Sequence, residues 1–200
     1  MLMPRRLLPL LVVLGCTNDA AQAGSSVSRP PIDPKGPREV AILAGGCFWG
    51  MEHVMLDAPG IVSIDVGYAG GPSKAVSYEQ VSEGDTGHAE AIRVVFDPSQ
   101  ISYEQLLHRY LRGHDPTQVN RQNNDIGPQY RSAIFATSDA QLATARKVKG
   151  LADASHKWKK PIATTIQRAT TWVRAEDYHQ DYLVKNPGGY NDHWLRKFDF

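Results

Sequence analysis

Hydrophobic and polar positions along the chain follow two periods, and the element changes where the period changes. Residues 39–44 are almost wholly apolar (Val40, Ala41, Ile42, Leu43, Ala44), the pattern of a buried strand. From 47 to about 58, Phe48, Met51, Met55 and Ala58 recur at helical spacing, and Pro59-Gly60 stops the helix. Val62, Ile64, Val66 and Tyr68 then alternate with Ser63, Asp65 and Gly67, which predicts a half-buried strand. A further strand is predicted over 88–97, with Ile92, Val94 and Phe96 on one face and Ala91, Arg93 and Val95 on the other. Extending that period backwards puts Glu90 and His88 on the apolar face, where a carboxylate is either paired or protonated. The competing reading is a strand that frays before Glu90 and leaves it in water.

The second half continues the alternation. Ser102-Tyr103-Glu104-Gln105 is a capping box for a helix whose stripe is Leu106, Leu107, Tyr110 and Leu111. Tyr130, Ser132 and Ile134 against Arg131, Ala133 and Phe135 read as a strand. Ser138 opens a helix carried by Leu142, Ala145 and Val148, whose end falls anywhere between Gly150 and Trp158. Ile162, Thr164 and Ile166 make another strand, and 176–183 a short helix ended by Asn186-Pro187-Gly188-Gly189. Two polar stretches, 67–86 and 117–129, are predicted loops, long enough to suggest function. The order predicts an α+β fold. It is a two-layer sandwich of mixed or antiparallel sheet with helices on one face and a long irregular C-terminal segment.

Composition narrows the reading in three ways. At 200 residues the chain is long enough for one domain with a proper core. A net charge of +1 implies no large basic surface for nucleic acid. Two cysteines are too few for a disulfide framework. At the N-terminus, Arg5-Arg6 and the short apolar run from Leu7 to Leu14 form an export signal, too short to span a bilayer. Val13-Leu14-Gly15-Cys16 resembles a bacterial lipoprotein box, with Cys16 lipidated as a membrane tether. Ala21-Gln22-Ala23 offers ordinary cleavage instead. The expected organisation is an export signal over 1–23, a flexible linker over 24–37 and one domain over 38–200. The expected destination is the periplasm, or a membrane-anchored lipoprotein.

The chemistry centres on Gly45-Gly46-Cys47-Phe48-Trp49-Gly50, where the first strand hands over to the first helix. Free amide N–H groups and the helix dipole there stabilise a thiolate. The bland alternative is a buried structural cysteine packing as a small hydrophobe. A cysteine hydrolase needs a histidine base, and none of the seven histidines sits in a recognisable partner motif. No metal-ligand spacing and no phosphate-cradling glycine loop is present. A thiol facing a neutral acid suits reduction of a polarised oxygen: the acid engages the oxygen, the thiolate attacks the attached atom, and a sulfenic acid remains.

Four motifs together resemble the A-type peptide methionine sulfoxide reductases. They are Gly46-Cys47-Phe48-Trp49-Gly50, Gly67-Tyr68-Ala69-Gly70-Gly71, Gly84-Asp85-Thr86-Gly87-His88-Ala89-Glu90 and Gln129-Tyr130-Arg131-Ser132. His179, Tyr182 and Asn186-Pro187 fit the family's later pattern, and the likeness spans roughly 39–190. The resemblance implies reduction of the S epimer of methionine sulfoxide, free or in oxidised proteins, with no bound cofactor. It implies Cys47 as nucleophile and Glu90 as the acid on the sulfoxide oxygen. Phe48 and Trp49 would hold the substrate methyl group, Tyr78 and Tyr130 would donate hydroxyls, and Asp125 would orient the site. One departure stands out: Asn191 occupies a place where the family often has a second cysteine, and no cysteine follows Cys47. The expected reductant is therefore an external thiol, a thioredoxin-like protein or a small thiol, acting on a monomer. A pocket that binds oxidised methionine without turnover is the other reading of the same residues.

Overall fold

In this computed structural model the described residues are 36–200; the expected export signal, Cys16 and nearly all of the linker lie outside them. Six strands form one sheet: β1 (Glu39–Gly45), β2 (Ile61–Ala69), β3 (Ala89–Phe96), β6 (Ser132–Ala136), β7 (Thr165–Arg168) and β8 (Trp172–Arg174). The order is β7-β6-β1-β3-β2-β8, antiparallel except where β7 runs parallel to β6, so the sheet is mixed. The helices are α1 (Phe48–Leu56), α2 (Tyr78–Ser82), α3 (Tyr103–Gly113), α4 (Asp139–Ala154) and α5 (Tyr182–Lys185). A small hairpin, β4 (Arg121–Gln122) with β5 (Asp125–Ile126), precedes a 3-10 turn at Pro128–Tyr130. This is the α+β sandwich that the pattern predicts.

The alternation in the strands decides which face carries the helices. Ile92, Val94 and Phe96 of β3 and Ala41 and Leu43 of β1 pack in one large core with Met51, Leu106, Tyr110 and Val148 from the helices. The opposite residues, Ile42, Ala44, Ala89, Ala91 and Phe135, form a smaller cluster under Trp172 and Ala169. Glu90 lies on the helix side of β3 and is buried, as the period-two reading requires. It stands across from Tyr68 in the β2–β3 ladder.

A buried polar network fixes the end of β1. The Tyr110 hydroxyl donates to Ala44 O at 2.7 Å, Ser132 Oγ lies 3.1 Å from it, and His114 Nε2 meets Ser132 Oγ at 2.7 Å. Burial pushes the His114 pKa down to about 3, so this ring is a neutral structural group. The turn out of β1 requires glycine at 46: its φ is +101°, and a Cβ would sit 2.6 Å from Gln122 Cγ.

Several boundaries differ from those predicted, each for a local reason. The polar stretch 67–86 contains α2, opened by a Ser77/Gln80 capping box. The 117–129 loop contains the hairpin and the 3-10 turn, which delays the following strand to Ser132. The fourth helix ends at Ala154, past Gly150. The helix predicted over 176–183 is only Tyr182–Lys185, because Asp181 adopts φ +53° and turns precede it. The strand predicted at Ile162 begins at Thr165, and nothing in the pattern predicts β8.

Candidate active site

Cys47 is the N-cap of α1, with φ −54° and ψ 123°, and is 8% exposed. The first-turn N–H groups of Trp49 and Gly50 reach its sulfur, using donors that a helix N-terminus leaves without partners. They favour the thiolate, but burial and the nearby Glu90 and Asp125 outweigh them and hold the thiol pKa well above its usual value. The resting thiol is therefore protonated at neutral pH.

Glu90 enters the same space from β3. Its Oε2 accepts the Phe48 N–H at 3.0 Å, so the carboxyl and the thiol share one helix N-terminus. The side chain is buried; burial pushes its pKa up to about 8, the Phe48 N–H opposes, and Asp125 adds to the rise. At pH 7 Glu90 is an acid with a proton to give.

Aromatic rings wall the site. The Trp49 ring stacks on Tyr182 at 3.8 Å with 14° between planes, and its Nε1–H donates to His179 Nδ1 at 3.2 Å. His179 also touches Phe48 at 5.0 Å and Tyr78 at 4.5 Å between centroids. Accepting at Nδ1 makes His179 the Nε2–H tautomer, and burial lowers its pKa, so it stays neutral. Phe48 itself is fully buried, whereas Trp49 and Tyr78 are half-buried.

The predicted hydroxyl donors sit on α2 and the 3-10 turn, within electrostatic reach of Cys47 and Glu90. Tyr78 opens α2 and is anchored by its backbone N–H to Glu176 Oε1 at 2.9 Å; Glu176 also accepts from the Tyr68 hydroxyl at 2.8 Å. Tyr130 ends the 3-10 turn. Burial raises its pKa, and the charges of Glu90, Tyr78, Asp125 and Cys47 add to that rise. Asp125 sits on β5 and accepts from the Tyr190 hydroxyl at 3.1 Å. Burial and the neighbouring Asp192 raise its pKa. All seven residues singled out in the sequence thus border one site.

Pattern reasoning misses His179, Tyr182, Glu176 and Tyr190 as site residues. Apart from the family likeness at His179 and Tyr182, their signal is a density of Tyr and His over 176–193, in a segment with little regular structure. That segment closes the site from the C-terminal side. His193 Nε2 lies 2.7 Å from Gly45 O and its Nδ1 is 2.7 Å from Asp192 Oδ1. Asn191 Oδ1 accepts the His193 N–H, and a Cβ at Gly50 would come within 2.9 Å of that oxygen. Among the described residues no hydrogen bond joins a histidine ring to Cys47: His179 Nδ1 accepts from Trp49, and His193 Nε2 meets Gly45 O. Among the described residues, no group of three or more His, Cys, Asp or Glu is arranged to hold a metal ion.

Comparison with known proteins agrees with the geometry. The family model for peptide methionine sulfoxide reductase matches residues 39–198. A peptide methionine sulfoxide reductase MsrA of Erwinia tasmaniensis is 53% identical over 144 residues, covering 72% of this chain and 80% of that protein. The crystal structure of Mxr1 from Saccharomyces cerevisiae in reduced form is 42% identical and superposes with a TM-score of 0.77, over 84% of this chain and 96% of that one. Mxr1 in complex with Trx2 matches with a TM-score of 0.56 at 30% identity, over 84% and 96% of the two chains. With that much of the domain aligned, and a thiol, a protonated carboxyl and an aromatic wall meeting at one helix N-terminus, the chain belongs to the peptide methionine sulfoxide reductases and reduces methionine sulfoxide to methionine.

Proposed function

We propose that Cys47 attacks the sulfur of the S epimer of methionine sulfoxide while Glu90 protonates its oxygen, and that an external thiol completes the cycle. The juxtaposition of Cys47 and Glu90 on the first turn of α1 carries this reading. The sulfoxide is apolar at methyl and polar at oxygen. Phe48 and Trp49 suit the first end, and the hydroxyls of Tyr78 and Tyr130 suit the second. As the thiolate bonds to the substrate sulfur, the S–O bond loses order and Glu90 delivers its proton. Transfer of the OH to Cys47 then expels the thioether, leaving methionine and a cysteine sulfenic acid. The sulfur of methionine is reduced and that of Cys47 oxidised by the same two electrons.

Cys47 is the only cysteine among the described residues, and Asn191 lies over the start of α1 where a second thiol would be needed. The sulfenic acid is therefore reduced by a thiol from outside, of which a thioredoxin-like dithiol is the natural class. The Mxr1–Trx2 complex supports that assignment by likeness. The export reading, with or without a lipidated Cys16, rests on residues 1–23 and would place the enzyme where secreted proteins are oxidised. Incubation with the separated S and R epimers of a methionine sulfoxide peptide, with dithiothreitol as reductant, tests the assignment. The S epimer alone is consumed; equal use of both epimers contradicts it.

A further inference from the structure

The loop that delivers Asp125 also forms one wall of a second feature, a cleft of about 500 Å³. Arg121, Lys157, Lys159, Lys160 and Arg196 put five cations on it against one carboxylate, Asp115. The whole chain carries a net charge of only +1, so this is a local concentration of positive charge. The Asp115 carboxylate, held by the Thr117 N–H and hydroxyl and by Gln118 Nε2, lies near the Arg196 guanidinium and offsets that cation, which leaves the excess charge on Arg121 and the three lysines. Lys157, Lys159 and Lys160 are exposed, and their ammonium groups have no ion pair among the described residues. Solvated surface lysines would look the same taken singly. Their position argues for more.

The cleft and the catalytic site share a wall. Arg121 pairs with Ile126 and Gln122 with Asp125 in the β4–β5 hairpin. Gln122 packs on Gly46 beside the nucleophile, and Asn123 Nδ2 donates to Asp192 O at 3.0 Å on the closing tail. A polypeptide whose oxidised methionine enters at Cys47 advances about 3.4 Å per extended residue, so a few residues bring its flank onto this hairpin. Free methionine sulfoxide has no such flank.

We propose that this cleft docks acidic segments of the protein substrate, so that methionine sulfoxide with Asp or Glu within several residues is reduced in preference to the same residue in neutral sequence. The inference rests on the sulfoxide reductase reading and names its substrate class. Rim charges of this kind act on encounter and KM rather than on the chemical step, and they fade with salt.

The test compares three decapeptides carrying one S-sulfoxide, with four Glu on the N-terminal side, four Glu on the C-terminal side, or none. The full-length enzyme is assayed with dithiothreitol. At low salt one acidic peptide shows a kcat/KM about 5–10-fold above the neutral one, through KM, and the advantage falls below about 2-fold at 0.5 M salt. In Lys159→Glu/Lys160→Glu the advantage disappears while turnover of free methionine sulfoxide and the melting temperature hold. No preference in the wild type overturns the inference, as does a preference that survives the double variant. Loss in that variant of binding to anionic-lipid vesicles, with peptide kinetics unchanged, overturns it in favour of a membrane surface. Failure to reduce free S-sulfoxide would instead strike the functional reading itself.

Discussion

Replacing Glu90 by glutamine removes the acid and keeps the shape. In Glu90→Gln the side-chain amide oxygen still accepts the Phe48 N–H, so the hydrogen bond that orients the wild-type side chain survives. What the variant lacks is a proton to transfer. With a pKa near 8, about 90% of Glu90 is protonated at pH 7; at the ordinary 4.5 about 0.3% would be. Burial therefore multiplies the acid form about 300-fold at neutral pH. Loss of a positioned proton donor costs about 10²–10⁴ in rate, or about 3–5 kcal/mol of barrier. The pH profile makes a sharper statement. The reactive ionisation pairs protonated Glu90 with the Cys47 thiolate, and both groups are protonated at pH 7. In the wild type kcat/KM rises about tenfold per pH unit until Glu90 ionises near 8 and then levels, because each further thiolate gained is matched by an acid lost. The variant has no break near 8 and rises on to the thiol's own pKa. That pKa is itself lower, since the charge of Glu90 contributes to holding it up. The assay is steady-state kcat/KM from pH 6 to 10, with thiolate absorbance followed in parallel. A variant within threefold of wild type at pH 7, or a break near 8 retained in it, would refute the role of Glu90.

Other expectations follow from the same geometry. Gly46→Ala forces a side chain into φ +101° and against Gln122, and costs about 1–3 kcal/mol of stability by urea unfolding, with a larger fall in kcat/KM than in stability. Glu52 is buried on α1 beside the Asp181 N–H, and burial raises its pKa from 4.5 to about 7. A carboxyl raised in the folded state binds protons that the unfolded chain has released, so stability falls as pH rises from about 4.5 to 7 and then levels. Glu52→Gln removes that part of the slope, at most about 2 kcal/mol between pH 5.5 and 8.5, read in urea midpoints at the two pH values. Tyr190→Phe frees Asp125 from its hydroxyl donor and raises KM for S-sulfoxide peptides severalfold while leaving the melting temperature within about 2 °C, read by kinetics and calorimetry.

Sequence pattern makes much of this legible, and its failures have physical causes. The turn from β1 into α1 follows from an apolar run, two glycines and a change of period, all local. Glu90 can be placed because a strand has period two, so the apolar positions that follow fix the face of the residue before them. The 3.6-residue stripe finds α3 and α4 with their Ser caps. By contrast β8 is three residues long and exists through pairing with β2, more than a hundred positions earlier, which no local pattern encodes. The helix expected over 176–183 fails at Asp181, whose left-handed backbone serves the stack of Tyr182 on Trp49. Local pattern shows His179 only as one histidine among seven. Its place between Phe48, Trp49 and Tyr78 is set by long-range packing of a segment with no period. In this site the nucleophile and the acid sit on regular elements and can be read from them. The part of the wall that 176–193 contributes sits on mostly irregular chain, and local pattern does not place it.

The most direct measurement is a single turnover without reductant. The full-length enzyme is mixed with excess S-sulfoxide peptide, and methionine peptide and intact protein are quantified together by mass spectrometry. One methionine forms per enzyme, and the protein gains one oxygen atom, mapped to Cys47 and trapped by dimedone as a sulfenic acid. Continued turnover without added thiol, or methionine formed with Cys47 unmodified, would contradict the account.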